Sequence, residues 1–193
     1  MSAAGYSLLE TLVAVTLIVI IAAAAVPLAT STLDRSRTAG AASYLASRLM
    51  LARLEAVKRS AFVGIQFVQK PGGYRFRAYV DGNGNGVLAR DITSGVDVAI
   101  SNDEQLGDQF PGVSFGICTG VTAVVPGDPF NVSDPIQIGS STVLSFNPNG
   151  SSTSGTVYLR GTGASQFAVR VLGATARARV LHFDFSDGKW RTP

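Results

Sequence analysis

Few side chains in this 193-residue chain have the types and spacing that chemistry asks for. Asp81-Gly82-Asn83-Gly84-Asn85-Gly86 sets oxygen donors at alternate positions, as a calcium loop does, making Asp81, Asn83 and Asn85 weak calcium candidates. The twelfth position of such a loop would be Ile92 rather than Glu, and a Gly/Asn turn at a hairpin end explains the run without an ion. Gly116-Ile117-Cys118-Thr119-Gly120 mimics a nucleophile elbow, but no helix pattern follows it. His182 is the only imidazole, and with Asp184 it alternates along an expected strand as a surface pair. One cysteine cannot form an intrachain disulfide, so Cys118 is expected to be buried behind Val113, Phe115 and Ile117. With no Cys/His cluster there is no zinc site to build, and neither a cofactor nor an enzymatic activity is expected.

Charge is distributed unevenly. From Asp81 to Asp134 there are eight acids against one base, Arg90, whereas from Arg160 to the end six bases face two acids. Solvated faces of a β domain account for this, and so do complementary surfaces between subunits or a basic patch for an anionic partner. Arg177 and Arg179 project to one face of a strand, with Arg160, Arg170, Lys189 and Arg191 nearby in sequence. Clustered guanidinium groups suit phosphate.

Glu10 stands at the start of the most unusual segment. Residues 11–33 carry no charge, and as a helix they span about 35 Å at roughly 1.5 Å per residue. A bilayer core is about 30 Å thick. A plain anchor, or a cleaved signal peptide using the small residues Ala22-Ala23-Ala24-Ala25, would account for the run. Neither explains Glu10, because an ionised carboxylate in a bilayer costs about 2.5 kcal/mol or more unless paired.

Gly5-Tyr6-Ser7-Leu8-Leu9-Glu10 resembles the type IV prepilin motif of Gly, an aromatic residue, Ser or Thr, Leu, any residue and Glu. The resemblance implies cleavage after Gly5 by a prepilin peptidase and a mature N-terminus at methylated Tyr6. It also implies that Glu10 pairs with the amino terminus of a neighbouring subunit, while Leu8, Leu12, Val15, Val19 and Val26 pack in a filament. Pro27 lies where such pilins often carry a helix-kinking proline. The leader departs from the family in being short and free of Lys and Arg.

The elements that position these residues follow from periodicity. Leu45, Leu49, Ala52 and Ala56 form one helical stripe, so a single helix is expected over residues 7–59, two helices broken near Gly40 being the alternative. The period then becomes two. Val63, Ile65 and Phe67, then Tyr74, Phe76, Ala78 and Val80, flank Pro71-Gly72-Gly73 as an antiparallel hairpin. Further strands are expected over 113–118, 121–125, 143–146, 156–159, 166–172 and 177–185, and residues 92–135 read as irregular and acidic. One long helix followed by strands gives an α+β fold, the helix packed on antiparallel sheets.

Three further stretches resemble pilins of the GspH/FimT type: Ala52-Arg53-Leu54-Glu55-Ala56-Val57-Lys58-Arg59-Ser60, the Asp81–Gly86 run, and Phe146-Asn147-Pro148-Asn149-Gly150. The implied organisation is a leader (1–5), a transmembrane and filament-core helix (6–33), an amphipathic continuation (34–60) and a periplasmic β-rich domain (61–193). The implied role is a minor pilin or pseudopilin of a type II secretion pseudopilus or type IV pilus. It would be held in the bacterial inner membrane by a single pass and then assembled. Its partners would be other pilins, the prepilin peptidase and the inner-membrane assembly platform. Some FimT-type minor pilins bind DNA through a Gly-Arg-any-Arg motif. The matching stretch here is Ala176-Arg177-Ala178-Arg179, which makes a DNA-uptake pilin the first alternative, and a secreted β protein with an ordinary signal peptide the second.

Overall fold

The computed structural model describes residues 7–139 and 141–193, without the side chains of 24–28. Gly5 and Tyr6 therefore lie outside the described residues, as do the side chains of Val26 and Pro27. One helix, α1 (Leu8–Arg59), runs unbroken through Gly40. Ser7 caps it, its hydroxyl accepting the Glu10 N–H at 3.2 Å. Ser60, at φ 52°, ends it by donating to the carbonyls of Ala56 and Val57. Glu55 pairs with Arg59 at 2.7 Å and Lys58 at 3.7 Å near the C-terminus, where the helix dipole favours cations.

The two halves of α1 meet different surroundings. From Thr38 onward one face is sealed: Ala41, Ala42, Leu45, Leu49, Ala52 and Ala56 are buried, as the stripe predicts. Gly40 belongs to this contact, because a Cβ there would sit 3.1 Å from the ring of Phe110. Before residue 23 the large apolar side chains point into open space, Leu8 being 85% exposed and Ile21 67%. No helix among the described residues is long and apolar enough to cross a membrane. The span expected over 11–33 runs through residues 24–28, whose side chains are not part of the description.

Strands β1 (Val63–Lys70) and β2 (Gly73–Val80) form the expected hairpin, with Lys70 opposite Gly73 and Gly72 at φ 94° in the turn. β3 (Val98–Ala99) extends the β2 side, and β6 (Val143–Phe146) pairs with β1, giving the order β3-β2-β1-β6. The second sheet orders β10-β9-β8-β7-β4, from β4 (Ser114–Phe115), β7 (Gly155–Arg160), β8 (Gln166–Leu172), β9 (Arg177–Asp184) and β10 (Lys189–Arg191). β5 (Ile136–Gln137) also pairs with β7, and short helices α2 (Ala89–Ser94) and α3 (Leu106–Gln109) lie in the acidic stretch. The main core joins α1 to both sheets, with Phe115 edge-on to Phe67, Phe76 and Tyr74. A smaller cluster of Ile117, Val121, Tyr158, Ala168 and Phe183 covers the opposite face of the second sheet.

Two expected strands are corrected. The strand expected over 113–118 is cut short to Ser114–Phe115: the Gly116 N–H still donates to the Tyr158 carbonyl at 3.1 Å, and beyond it the buried Gln166 side chain takes the place of the ladder. Its carbonyl accepts from the Cys118 N–H at 2.7 Å, and its amide donates to the Gly116 and Leu159 carbonyls at 3.2 and 2.9 Å. Residues 121–125 form no strand. Val121 turns into the smaller cluster and the Val124 N–H reaches the Tyr158 hydroxyl at 3.4 Å, so side-chain burial rather than a ladder sets this segment.

Leu45→Ala should cost the domain about 2–5 kcal/mol in chemical denaturation of the detergent-solubilised chain, the range for truncating a buried leucine. Leu12→Ala, on the exposed half, should change it by less than about 0.5 kcal/mol.

Candidate functional site

The exposed half of α1 holds the first candidate residue. Glu10 is the third helical residue after Ser7, so Ser7-Leu8-Leu9-Glu10 has the spacing of a capping box. Sequence reading took Glu10 as a charge beside an apolar run and as the glutamate of the prepilin-like motif, and did not note that Ser-x-x-Glu before such a run is also a recognised helix start. The carboxylate is exposed, among Leu8, Leu9, Leu12 and Val13.

Where α1 enters the domain, Asp34 is held by the turn joining β7 to β8. One carboxylate oxygen accepts the Thr162 N–H at 2.8 Å and its hydroxyl at 2.9 Å, and the other accepts the Gly163 N–H at 3.2 Å. Gly161 is required here, since a Cβ would collide with the carboxylate. Burial pushes the Asp34 carboxyl up, but hydroxyl donation from Ser165 and Thr162 and the two amides outweigh it and hold it below the usual range. Nothing in the local sequence links residues 128 positions apart, so this contact is visible only in the fold.

The C-terminal cations separate into neutralised and free groups. Arg170 is tied to Asp128 and Thr156, each at 3.0 Å, and Arg191 to Asp187 and Asp184. Arg177 and Arg179 are exposed on β9, opposite Leu172 and Arg170, in no ion pair among the described residues. Arg160 and Lys189 are exposed as well, at register positions away from this pair. Ala176, which precedes Arg177, is 2% exposed and holds φ 48°, a left-handed conformation that glycine adopts freely and alanine at a cost of about 1–2 kcal/mol.

The calcium candidates are used differently. The Asp81 carboxylate accepts the N–H groups of Asn83, Gly84 and Gly86 at 2.8–2.9 Å, and Asn83 accepts from Asn85 at 3.2 Å. Burial raises the Asp81 carboxyl and these amides, with that of Asn85, overcome it, leaving it lowered. The buried Asp97 holds the same loop through the Gly82 and Leu88 amides at 3.1 and 3.0 Å. Carboxylates that accept inward-pointing N–H groups account for the loop without an ion. Among the described residues no three His, Cys, Asp or Glu side chains form a metal-binding group.

Cys118 is half-buried rather than sealed, and burial pushes its thiol up, the opposite of an activated nucleophile. His182 and Asp184 are both half-buried, a correction to the expected surface pair. The His182 ring lies against Phe167, with centroids 6.1 Å apart, and its Nδ1 is buried without a hydrogen-bond partner.

In the comparison with protein families, the profile described as type II transport protein GspH aligns with residues 41–176, well over half of the chain. It begins in the docked half of α1 and ends one residue before Arg177. No curated protein and no solved structure matches.

The Asp34 contact has a pH signature. A carboxyl lowered in the folded state stabilises fully above its unfolded value of about 3.9, and that contribution disappears as pH falls through the folded value. The domain should therefore lose stability below about pH 4. Asp34→Asn should cost about 1–3 kcal/mol at pH 7 and flatten this part of the profile, as read from denaturation midpoints across pH.

Proposed function

The chain belongs to the GspH family of type II transport proteins, and from that premise we propose that it is a structural pseudopilin subunit assembled through the exposed half of α1. The carrying observation is the contrast within one helix. Its second half is buried in the domain, while large apolar residues from Leu8 to Ile21 remain 51–85% exposed. Apolar surface of that extent is costly in water and favours lipid or other subunits. In this reading a prepilin peptidase cuts after Gly5 and Tyr6 becomes the methylated N-terminus. The helix is held in the inner membrane with the β domain in the periplasm, until the assembly platform draws it into the filament. Leu8, Leu12, Val15, Val19 and Val26 then pack against neighbouring pseudopilins, Glu10 meets a neighbour's amino terminus, and Pro27 lets the helix bend. The subunit works mechanically, and no residue has a catalytic role.

A second reading, DNA binding, is favoured by Ala176. The left-handed backbone that a glycine would supply before an Arg-any-Arg pair is present although the residue is alanine, and both guanidinium groups are exposed.

Glu10→Gln separates pairing from capping, because glutamine also suits the third position of a capping box. The variant should be made and membrane-associated but absent from sheared or cross-linked filament fractions. Unchanged assembly would assign Glu10 to helix capping alone. For DNA, a gel shift of the full chain at two salt concentrations should show Arg177→Gln with Arg179→Gln lowering the salt slope by about 2. No shift of the unaltered chain at low salt would remove the DNA reading.

A further inference from the structure

The end of the domain from which α1 emerges carries charge that the assembly role does not use. Arg35 and Arg37 follow Asp34 at the end of the uncharged run, are exposed, and are in no ion pair among the described residues. Two residues apart on a helix, they differ by about 3 Å along its axis and point to opposite sides. They therefore form a collar at a single depth. Beside the helix, Arg35, Ser165 and His182 line an open pocket of about 240 Å³, completed by Asp184 and Phe185. Phe185 is 42% exposed at this rim.

The two nearby carboxylates are already occupied. Asp34 is held by Thr162, Gly163 and Ser165, and Asp184 accepts from Ser186 and pairs with Arg191 at 3.5 Å. Arg35 is thus left without an ion pair at the pocket rim among the described residues, with the His182 ring in the same lining. Arginine at the end of an apolar helix suits the phosphate layer of a bilayer. With the domain on the exported side, these arginines also run against the positive-inside bias, which calls for a favourable partner there.

We infer that this end of the domain is a headgroup-binding surface for an anionic phospholipid, with the phosphate seated between Arg35 and His182 and a second headgroup on Arg37. The inference rests on the reading that α1 resides in a membrane before assembly.

The full chain in a non-ionic detergent is titrated with short-chain phosphatidylglycerol, short-chain phosphatidylcholine or inorganic phosphate, following the imidazole NMR signal of His182, the only histidine. The expected result is a saturable shift with phosphatidylglycerol that phosphatidylcholine does not produce. An arginine beside anionic headgroups contributes about fivefold, so Arg35→Gln should weaken binding about fivefold and Arg35→Gln with Arg37→Gln about 25-fold. Equal response to both lipids, equal affinity for inorganic phosphate, or unchanged affinity in the double variant would overturn the inference. Co-flotation with neutral phosphatidylcholine vesicles tests the apolar helix separately. A chain that floats but shows no selective titration loses only the headgroup site. A chain that titrates selectively but does not float keeps the site and loses membrane residence.

Discussion

The buried stripe of α1, from Thr38 through Leu45 and Leu49 to Ala56, is the contact on which both sheets depend. It gives the β1–β2 hairpin and the β7–β8–β9 layer a common surface, and the main core runs through it from one sheet to the other. Small residues at 41, 42, 52 and 56 let the strands approach the helix closely, and Gly40 makes room for Phe110. Because this stripe ends near Thr38, the rest of the helix leaves the domain with its apolar side chains uncovered. A stable domain and a sticky, projecting half-helix thus follow from a single boundary in one element.

Polar contacts fix that boundary. Asp34 closes the β7–β8 turn around its carboxylate at the point of exit. Farther along, Glu104 receives Arg48 and the Tyr44 hydroxyl, pinning the segment after β3 to the helix, while Arg53 reaches the Gly150 carbonyl at 3.3 Å. Hydrogen bonds to charged groups have directional demands that apolar packing lacks. These contacts fix where the loops cross the helix rather than how much surface is buried.

Much of this was legible in the residues. The i, i+4, i+7 spacing located the docked face of α1, and the strand patterns located the first hairpin, β8 and all of β9, which ends one residue earlier than expected. The failures share a cause. Around 113–125, Gln166 and Tyr158 supply hydrogen bonds from distant side chains in place of a ladder, which alternation cannot register. β3, β5 and β10 are too short to produce a periodic signal. In the candidate sites, the capping role open to Glu10 was readable from Ser7 and was missed. The Asp34 clamp and the left-handed Ala176 depend on backbone geometry that no local pattern announces. The Asp81 run was ambiguous in the sequence because its alternating Asp and Asn suit backbone amides as well as they suit a cation; in the structure the Asp81 carboxylate accepts those amides.

The central claim is that α1 serves as a pilin helix, docked at one end and free for assembly at the other. The mass of the N-terminal peptide of the mature protein, recovered from membranes, tests it most directly. The account predicts a chain beginning at Tyr6 with a methylated amino group. A chain beginning near Val26 would mean removal of a conventional signal peptide and loss of the free half-helix, and an intact Met1 would mean that no prepilin processing occurs; either result would contradict it.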